Sequence, residues 1–190
     1  MEKIRVFIAI ELPAEVKKAL MRLQERLKAG QAPVRWADPD SIHLTLQFLG
    51  YVDAAITGDI TAAMTEAVRG VGPFHLACGG LGVFPDPKRV RVMWVGLTGD
   101  LEKLNQLQKR VESSLSPLGF KPEARPFTAH LTLGRVRGQA RPEERQKLGQ
   151  LVAAAAAPDC LLDVNAVHLI RSQLRPQGPL YTIISSAELN

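Results

Sequence analysis

At 190 residues and 20.8 kDa, with 46% of positions hydrophobic, the chain is long enough for one large domain or two small joined lobes, with ample side chains for a core. No apolar run approaches the ~20 residues of a bilayer-spanning helix, and Met1-Glu2-Lys3-Ile4-Arg5 leads into a strand-like run rather than a secretory leader, so a cytoplasmic setting is the expectation. A net charge of +5 and a pI near 9.5 suit a polyanion such as RNA without selecting one.

The run Val6-Phe7-Ile8-Ala9-Ile10 predicts a buried strand, and Pro13 opens a helix on which Val16, Leu20, Leu23 and Leu27 recur at helical spacing until Gly30. Trp36 reads as a core residue joining two lobes. Residues 41–50 alternate as a strand, and a helix over 54–69 and a strand around 74–77 follow. Gly79-Gly80-Leu81-Gly82 is not a phosphate cradle, because Pro85 and Pro87 stand where such a loop needs a helix and no Gly-Lys-Ser/Thr is present. The turn-rich, basic run 84–89 reads as a solvent-facing connection. A second series repeats the first: a strand at 92–97, a helix from Asp100 carrying Leu101, Leu104, Leu107, Val111 and Leu115 to Pro117 and Gly119, a helix over 142–157 and a strand region over 161–172. Cys78 and Cys160 lie far apart without Cys-x-x-Cys spacing, and are expected to be buried free thiols.

The tetrapeptide His-Leu-Thr-Leu occurs at 43–46 and again at 130–133. With eight threonines in 190 residues, a given histidine has a threonine two places on about four per cent of the time, so a matched pair with identical leucines is not chance. Ile8 and Val95, Pro39 and Pro126, His43 and His130, and Thr45 and Thr132 are all 87 apart, which reads as an internal duplication. In each copy the strand period places the imidazole and the hydroxyl on one face and the leucines on the other. The fold expected is α+β, duplicated and bilobal: antiparallel sheets with helices packed outside, one domain made of pseudo-repeat lobes at roughly 1–87 and 88–190. Facing about an approximate two-fold axis, the lobes would bring His43 and His130 to opposite walls of one cleft.

Two imidazoles in one cleft can serve as general base and general acid in the same step, because an ordinary histidine pKa near 6.5 allows one to be neutral while the other is protonated. That division suits in-line displacement at phosphorus, with the Thr45 and Thr132 hydroxyls donating to non-bridging oxygens. No cofactor is called for. A metal reading lacks a third ligand at a recognisable spacing, and a serine hydrolase lacks its Gly-x-Ser-x-Gly turn.

The paired His-x-Thr-x tetrapeptides resemble those of the 2H phosphoesterase superfamily and, within it, the RNA 2',3'-cyclic phosphodiesterases, historically called 2'-5' RNA ligases. Arg5 to Ile10, Arg35-Trp36, His43 to Gly50, Arg91 to Leu97, His130 to Arg135, Ser172 and Gly178-Pro179-Leu180-Tyr181 share the resemblance, which spans nearly the whole chain. It implies a duplicated bilobal α+β fold with both motifs in a central cleft. It also implies opening of a terminal 2',3'-cyclic phosphate of RNA to a 2'-phosphate, with His43 as proton donor and His130 as acceptor.

Four further residues are candidate substrate contacts. Arg135 could clamp phosphate, although strict alternation turns it from the His130 face. Phe48 could stack on a base, although its parity with Leu44 and Leu46 favours the core. Tyr181 and Ser172 could line the cleft or close a terminal hairpin, while His75 and His168 read as structural. The partners expected are RNA with a cyclic phosphate end or a small cyclic nucleotide, with no membrane and no obligate protein partner, and the chain is expected to be a monomer. Reverse 2'-5' joining uses the same two histidines, and a non-catalytic RNA-binding module is disfavoured because phosphate binding alone needs only Arg and Lys.

Overall fold

Ile4, Val6, Ile8 and Ile10 alternate along β1 (Lys3–Ile10) and are all buried, which fixes one face of that strand against the core. The computed structural model describes all 190 residues. After β1 come α1 (Ala14–Lys28), β2 (Val34–Trp36), β3 (Leu44–Asp53), α2 (Thr57–Val68) and β4 (Phe74–Phe84). The second series is β5 (Val92–Gly99), α3 (Leu101–Leu115), β6 (His130–Val136), α4 (Pro142–Ala154), β7 (Leu161–Val164), β8 (Ala166–Gln173) and β9 (Leu180–Glu188). The helical stripes fall as their spacing predicts: Val16, Leu20, Leu23 and Leu27 are buried on α1, and Leu104, Leu107, Val111 and Leu115 on α3. Gly119, left-handed at φ 89°, closes the 3-10 turn that follows α3.

The strands form two antiparallel sheets, ordered β3-β1-β8-β9 and β2-β6-β5-β4-β7. The 87-residue offset maps β1 onto β5, β3 onto β6, α1 onto α3, and the β4 region onto β7 and β8. β1 is flanked by β3 of its own half and β8 of the other; β5 is flanked by β6 of its own half and β4 of the other. β2 and β4 of the first half therefore lie in the sheet of β5 and β6, and β8 and β9 of the second half in the sheet of β1 and β3, so each sheet mixes strands of both halves. Helices cross as well. Buried Gln24 of α1 donates to the Leu133 carbonyl of β6 at 2.9 Å, and Gln108 of α3 to the Leu46 carbonyl of β3 at 3.4 Å. One cluster of 38 buried residues draws on both sheets and all four helices, which makes the chain a single cooperative unit.

The cysteines are joined, contrary to the expectation of free thiols. Antiparallel pairing of β4 with β7 sets Ala77 opposite Leu161, and one step further along this register stands Cys78 opposite Cys160. The Cys78 amide donates to the Cys160 carbonyl at 3.1 Å, and a disulfide closes across a Cα separation of 5.5 Å. Their 82-residue separation conceals this register in the sequence. No helix is long and apolar enough to cross a membrane.

Candidate active site

The face of β1 opposite the main core carries Arg5, Phe7 and Ala9, and its neighbours set out that surface row by row. Arg5 lies between Tyr51 and Ser172, with Tyr181 next; Phe7 lies between Phe48 and Ile170; Ala9 lies between Thr45 and His168. Phe7, Ala9 and Ile170 form a small buried cluster capped by Tyr181, the floor on which the first motif rests. The second sheet is built alike. Trp94 pairs with Thr132, Gly96 with His130, and Val92 with Arg135, which in turn pairs with Arg35 of β2.

Each histidine is held by its backbone and walled by aromatic rings. His43 Nδ1 lies 2.8 Å from the Ser41 carbonyl and His130 Nδ1 lies 2.6 Å from the Thr128 carbonyl; Ser41 and Thr128 are themselves 87 apart. A carbonyl only accepts, so Nδ1 carries the hydrogen in both rings and a neutral imidazole keeps its lone pair on Nε2. The edge of Phe7 meets the His43 ring at 5.9 Å and Tyr181 meets it at 5.2 Å. Trp94, 87 residues from Phe7, meets His130 at 6.2 Å, and Phe84 meets it at 5.4 Å. Trp94 lies flat over β4 because residue 82 is glycine: a Cβ there would overlap the indole. Gly79, against Thr98 of β5, and Gly82 thus serve packing.

Bulges correct two sequence expectations. The β1–β3 register slips between Ile8 and Ala9, leaving Leu46 without a partner, so Gln47 turns into the core and Phe48 pairs with Phe7 on the site face. Phe48 is 60% exposed rather than buried, with its ring 6.0 Å from Phe7. The β5–β6 register slips between Met93 and Trp94, leaving Leu133 unpaired and putting Arg135 opposite Val92, on the same face as Thr132. Arg135 therefore shares the face of the second motif. Ser172 is 6% exposed and its hydroxyl has no partner, beneath the row of Arg5 and Tyr181, so it is buried under the surface rather than lining it. Phe84, expected in a solvent-facing connection, flanks His130. Phe7 and Trp94 also lay outside the candidate set, although the 87-residue offset pairs them.

Burial pushes the Tyr181 hydroxyl up, and the guanidiniums of Arg5, on its own sheet, and Arg135, on the other, pull against it. Tyr181, which packs on His43, thus feels a guanidinium from each sheet. The His43 side chain is 5% exposed, and burial lowers its pKa against the opposing pull of the Ser41 carbonyl and Glu11. No cluster of three or more His, Cys, Asp or Glu side chains is gathered anywhere in the molecule. His75, paired with Asp163 at 2.7 Å, lies on the outer β4–β7 ladder.

Two sheets that exchange strands and present the same histidine strand in duplicate define a two-histidine phosphoesterase fold. The profile of the family described as LigT like Phosphoesterase matches twice in tandem, over residues 10–94 and 95–181, and the chain belongs to that family. It is 35% identical to the RNA 2',3'-cyclic phosphodiesterase of Methanothermobacter thermautotrophicus over 95% of this chain and 96% of that one. Among solved structures it superposes on TT0787 of Thermus thermophilus with a TM-score of 0.78 at 26% identity, covering 97% of each chain. On LigT of Escherichia coli in complex with 3'-AMP the TM-score is 0.77 at 26% identity, covering 100% of this chain and 99% of that one.

Proposed function

We propose that the chain is an RNA 2',3'-cyclic phosphodiesterase that opens a terminal 2',3'-cyclic phosphate to a 2'-phosphate, with His43 as proton donor, His130 as proton acceptor and no metal in the step. The observation that carries this reading is the identical tethering of both histidines through Nδ1, which leaves each Nε2 to exchange a proton with substrate. His130 Nε2 takes a proton from water as the water oxygen bonds to phosphorus. The bond from phosphorus to the ribose 3' oxygen breaks, and His43 Nε2–H delivers its proton to that oxygen. The products are a 2'-phosphate and a 3'-hydroxyl, and proton exchange with solvent resets both rings.

The Thr45 and Thr132 hydroxyls donate to the non-bridging oxygens, where charge develops. The Arg135 fork adds a bidentate contact to phosphate, Phe48 stacks on the terminal base, and Tyr181 seats the His43 ring. Ser172 supports Tyr181 from below. The chain supplies both histidines itself and is read as a monomer. The curated relative is named for cyclic ends of RNA and the E. coli neighbour holds 3'-AMP, which favours a nucleotide terminus as substrate. Ligation in the reverse direction uses the same atoms, but no observation favours it.

The test is product analysis from a nucleoside 2',3'-cyclic phosphate and from an RNA bearing the same end, with and without chelator. A 2'-phosphate formed equally with chelator supports the reading. A 3'-phosphate, or activity lost to chelator and restored by zinc or magnesium, overturns it.

A further inference from the structure

The sequence repeat treats His43 and His130 alike; their surroundings do not. At the end of β1 the Glu11 carboxylate Oε1 lies 3.6 Å from His43 Nε2, and that carboxylate is 42% exposed while the imidazole is 5% exposed. The residue 87 places on is Thr98, which carries no charge, and no carboxylate pairs with His130. At 3.6 Å the contact is one of charge rather than a hydrogen bond, so Nε2–H keeps its donating capacity for substrate. The other groups around His43 are Lys17 of α1, whose ammonium donates to the Asp40 carbonyl at 3.2 Å, and Tyr181 of β9. His168 of β8 also lies within the field of Glu11, but its Nδ1 is bonded to Ser186 Oγ at 2.8 Å and burial favours its neutral form, so it does not neutralise the carboxylate.

We propose that Glu11 is a positioning residue that keeps the proton on His43 Nε2 and thereby makes this histidine, of the two, the acid. The inference rests on the phosphodiesterase reading and supplies what the symmetric motifs lack, a physical reason for the direction of proton flow. Burial alone would strip the proton from the ring that has to give it to the leaving oxygen. A carboxylate beside it opposes that loss without competing for the hydrogen. Because Glu11 is itself partly solvated, its effect is the modest one of a half-exposed charge pair.

The experiment compares wild type, Glu11→Gln, Glu11→Asp and His43→Ala across pH, on a nucleoside 2',3'-cyclic phosphate and on its analogue with sulfur at the bridging 3' position. Glu11→Gln is expected to move the maximum of kcat/KM to lower pH and to slow turnover above neutrality roughly twofold to fivefold. Glu11→Asp should retain part of the effect. A thiolate leaves without a proton, so the sulfur substrate should erase the Glu11→Gln deficit and rescue His43→Ala. NMR titration of the His43 ring, which needs no turnover, should show it losing its proton at lower pH in Glu11→Gln. An unchanged ring titration, or a Glu11→Gln deficit that persists on sulfur while His43→Ala is rescued, overturns the role of Glu11 and leaves the mechanism standing. Failure of sulfur to rescue His43→Ala overturns both.

Discussion

Phe48 and Arg135 stand at the same place in two copies of one strand, three residues past Thr45 and Thr132, and each shares the face of its motif threonine only because a bulge intervenes. One copy thus presents an aromatic face and the other a planar cation, so the two motif faces differ where the motifs are identical. An exposed ring suits a base and a guanidinium fork suits a phosphate. Phe48→Ala is expected to raise KM for a cyclic nucleotide about 5-fold to 100-fold, the worth of one base–aromatic stack, with kcat little changed. Arg135→Lys keeps the charge and loses the fork, so it should recover only part of the turnover lost in Arg135→Ala. Steady-state kinetics on one substrate checks both; full activity in Arg135→Lys would show that charge alone suffices.

The bulge that turns Arg135 inward is held by Gln24, whose amide donates to the Leu133 carbonyl at 2.9 Å and to the Ala37 carbonyl at 2.8 Å. Gln24→Leu leaves two carbonyls without that donor and should cost about 1–3 kcal/mol of stability, read from denaturant midpoints. It should also weaken phosphate-dependent binding more than Gln108→Leu does, because Gln108 reaches the other bulge, beside Phe48.

Burial holds both His43 and His168 below the usual histidine range. The unfolded chain takes up these protons near pH 6.5 and the folded chain resists until lower pH. Their contribution to stability is therefore complete above about pH 6.5 and is lost as pH falls through the folded values. Denaturation midpoints should drop between pH 7.5 and pH 5, and the slope should lessen in His168→Gln. Glu15, Asp86 and Glu144, carboxylates lowered by Lys18, Arg89 and the Arg141 backbone amide respectively, act at more acid pH and leave this window clear.

The Cys78–Cys160 disulfide closes a loop of 82 residues' separation, for which chain entropy alone assigns about 4 kcal/mol. The double variant Cys78→Ser, Cys160→Ser should unfold at lower denaturant with activity intact, since neither cysteine adjoins either histidine. Wild type titrated with reductant should approach the same midpoint, and a thiol count of two before reduction would refute the bridge.

The duplicated order of strands and helices was legible because hydrophobic period and a constant offset are written residue by residue, and the burial of α1 and α3 follows their stripes. His43, Thr45, His130 and Thr132 stood out for the same reason. Phe48 and Arg135 did not, because one extra residue in a strand reverses every later side chain and nothing in Leu46 or Leu133 marks them as bulged. Phe84 and the disulfide depend on β4 reaching the opposite sheet, a long-range pairing that local pattern cannot carry.

The exchange of β2 and β4 against β8 and β9 means that neither half of the chain is a foldable piece. Severed near residue 87, the first half keeps β1 and β3 together but leaves β2 and β4 without the strands they pair with, and β1 with one bare edge. A second copy of the same fragment offers the missing strand, and by symmetry receives one in return. The 190-residue chain is in this sense a tethered dimer, whose linker removes concentration from the assembly of its two sheets and frees each half to diverge, as Phe48 and Arg135 have.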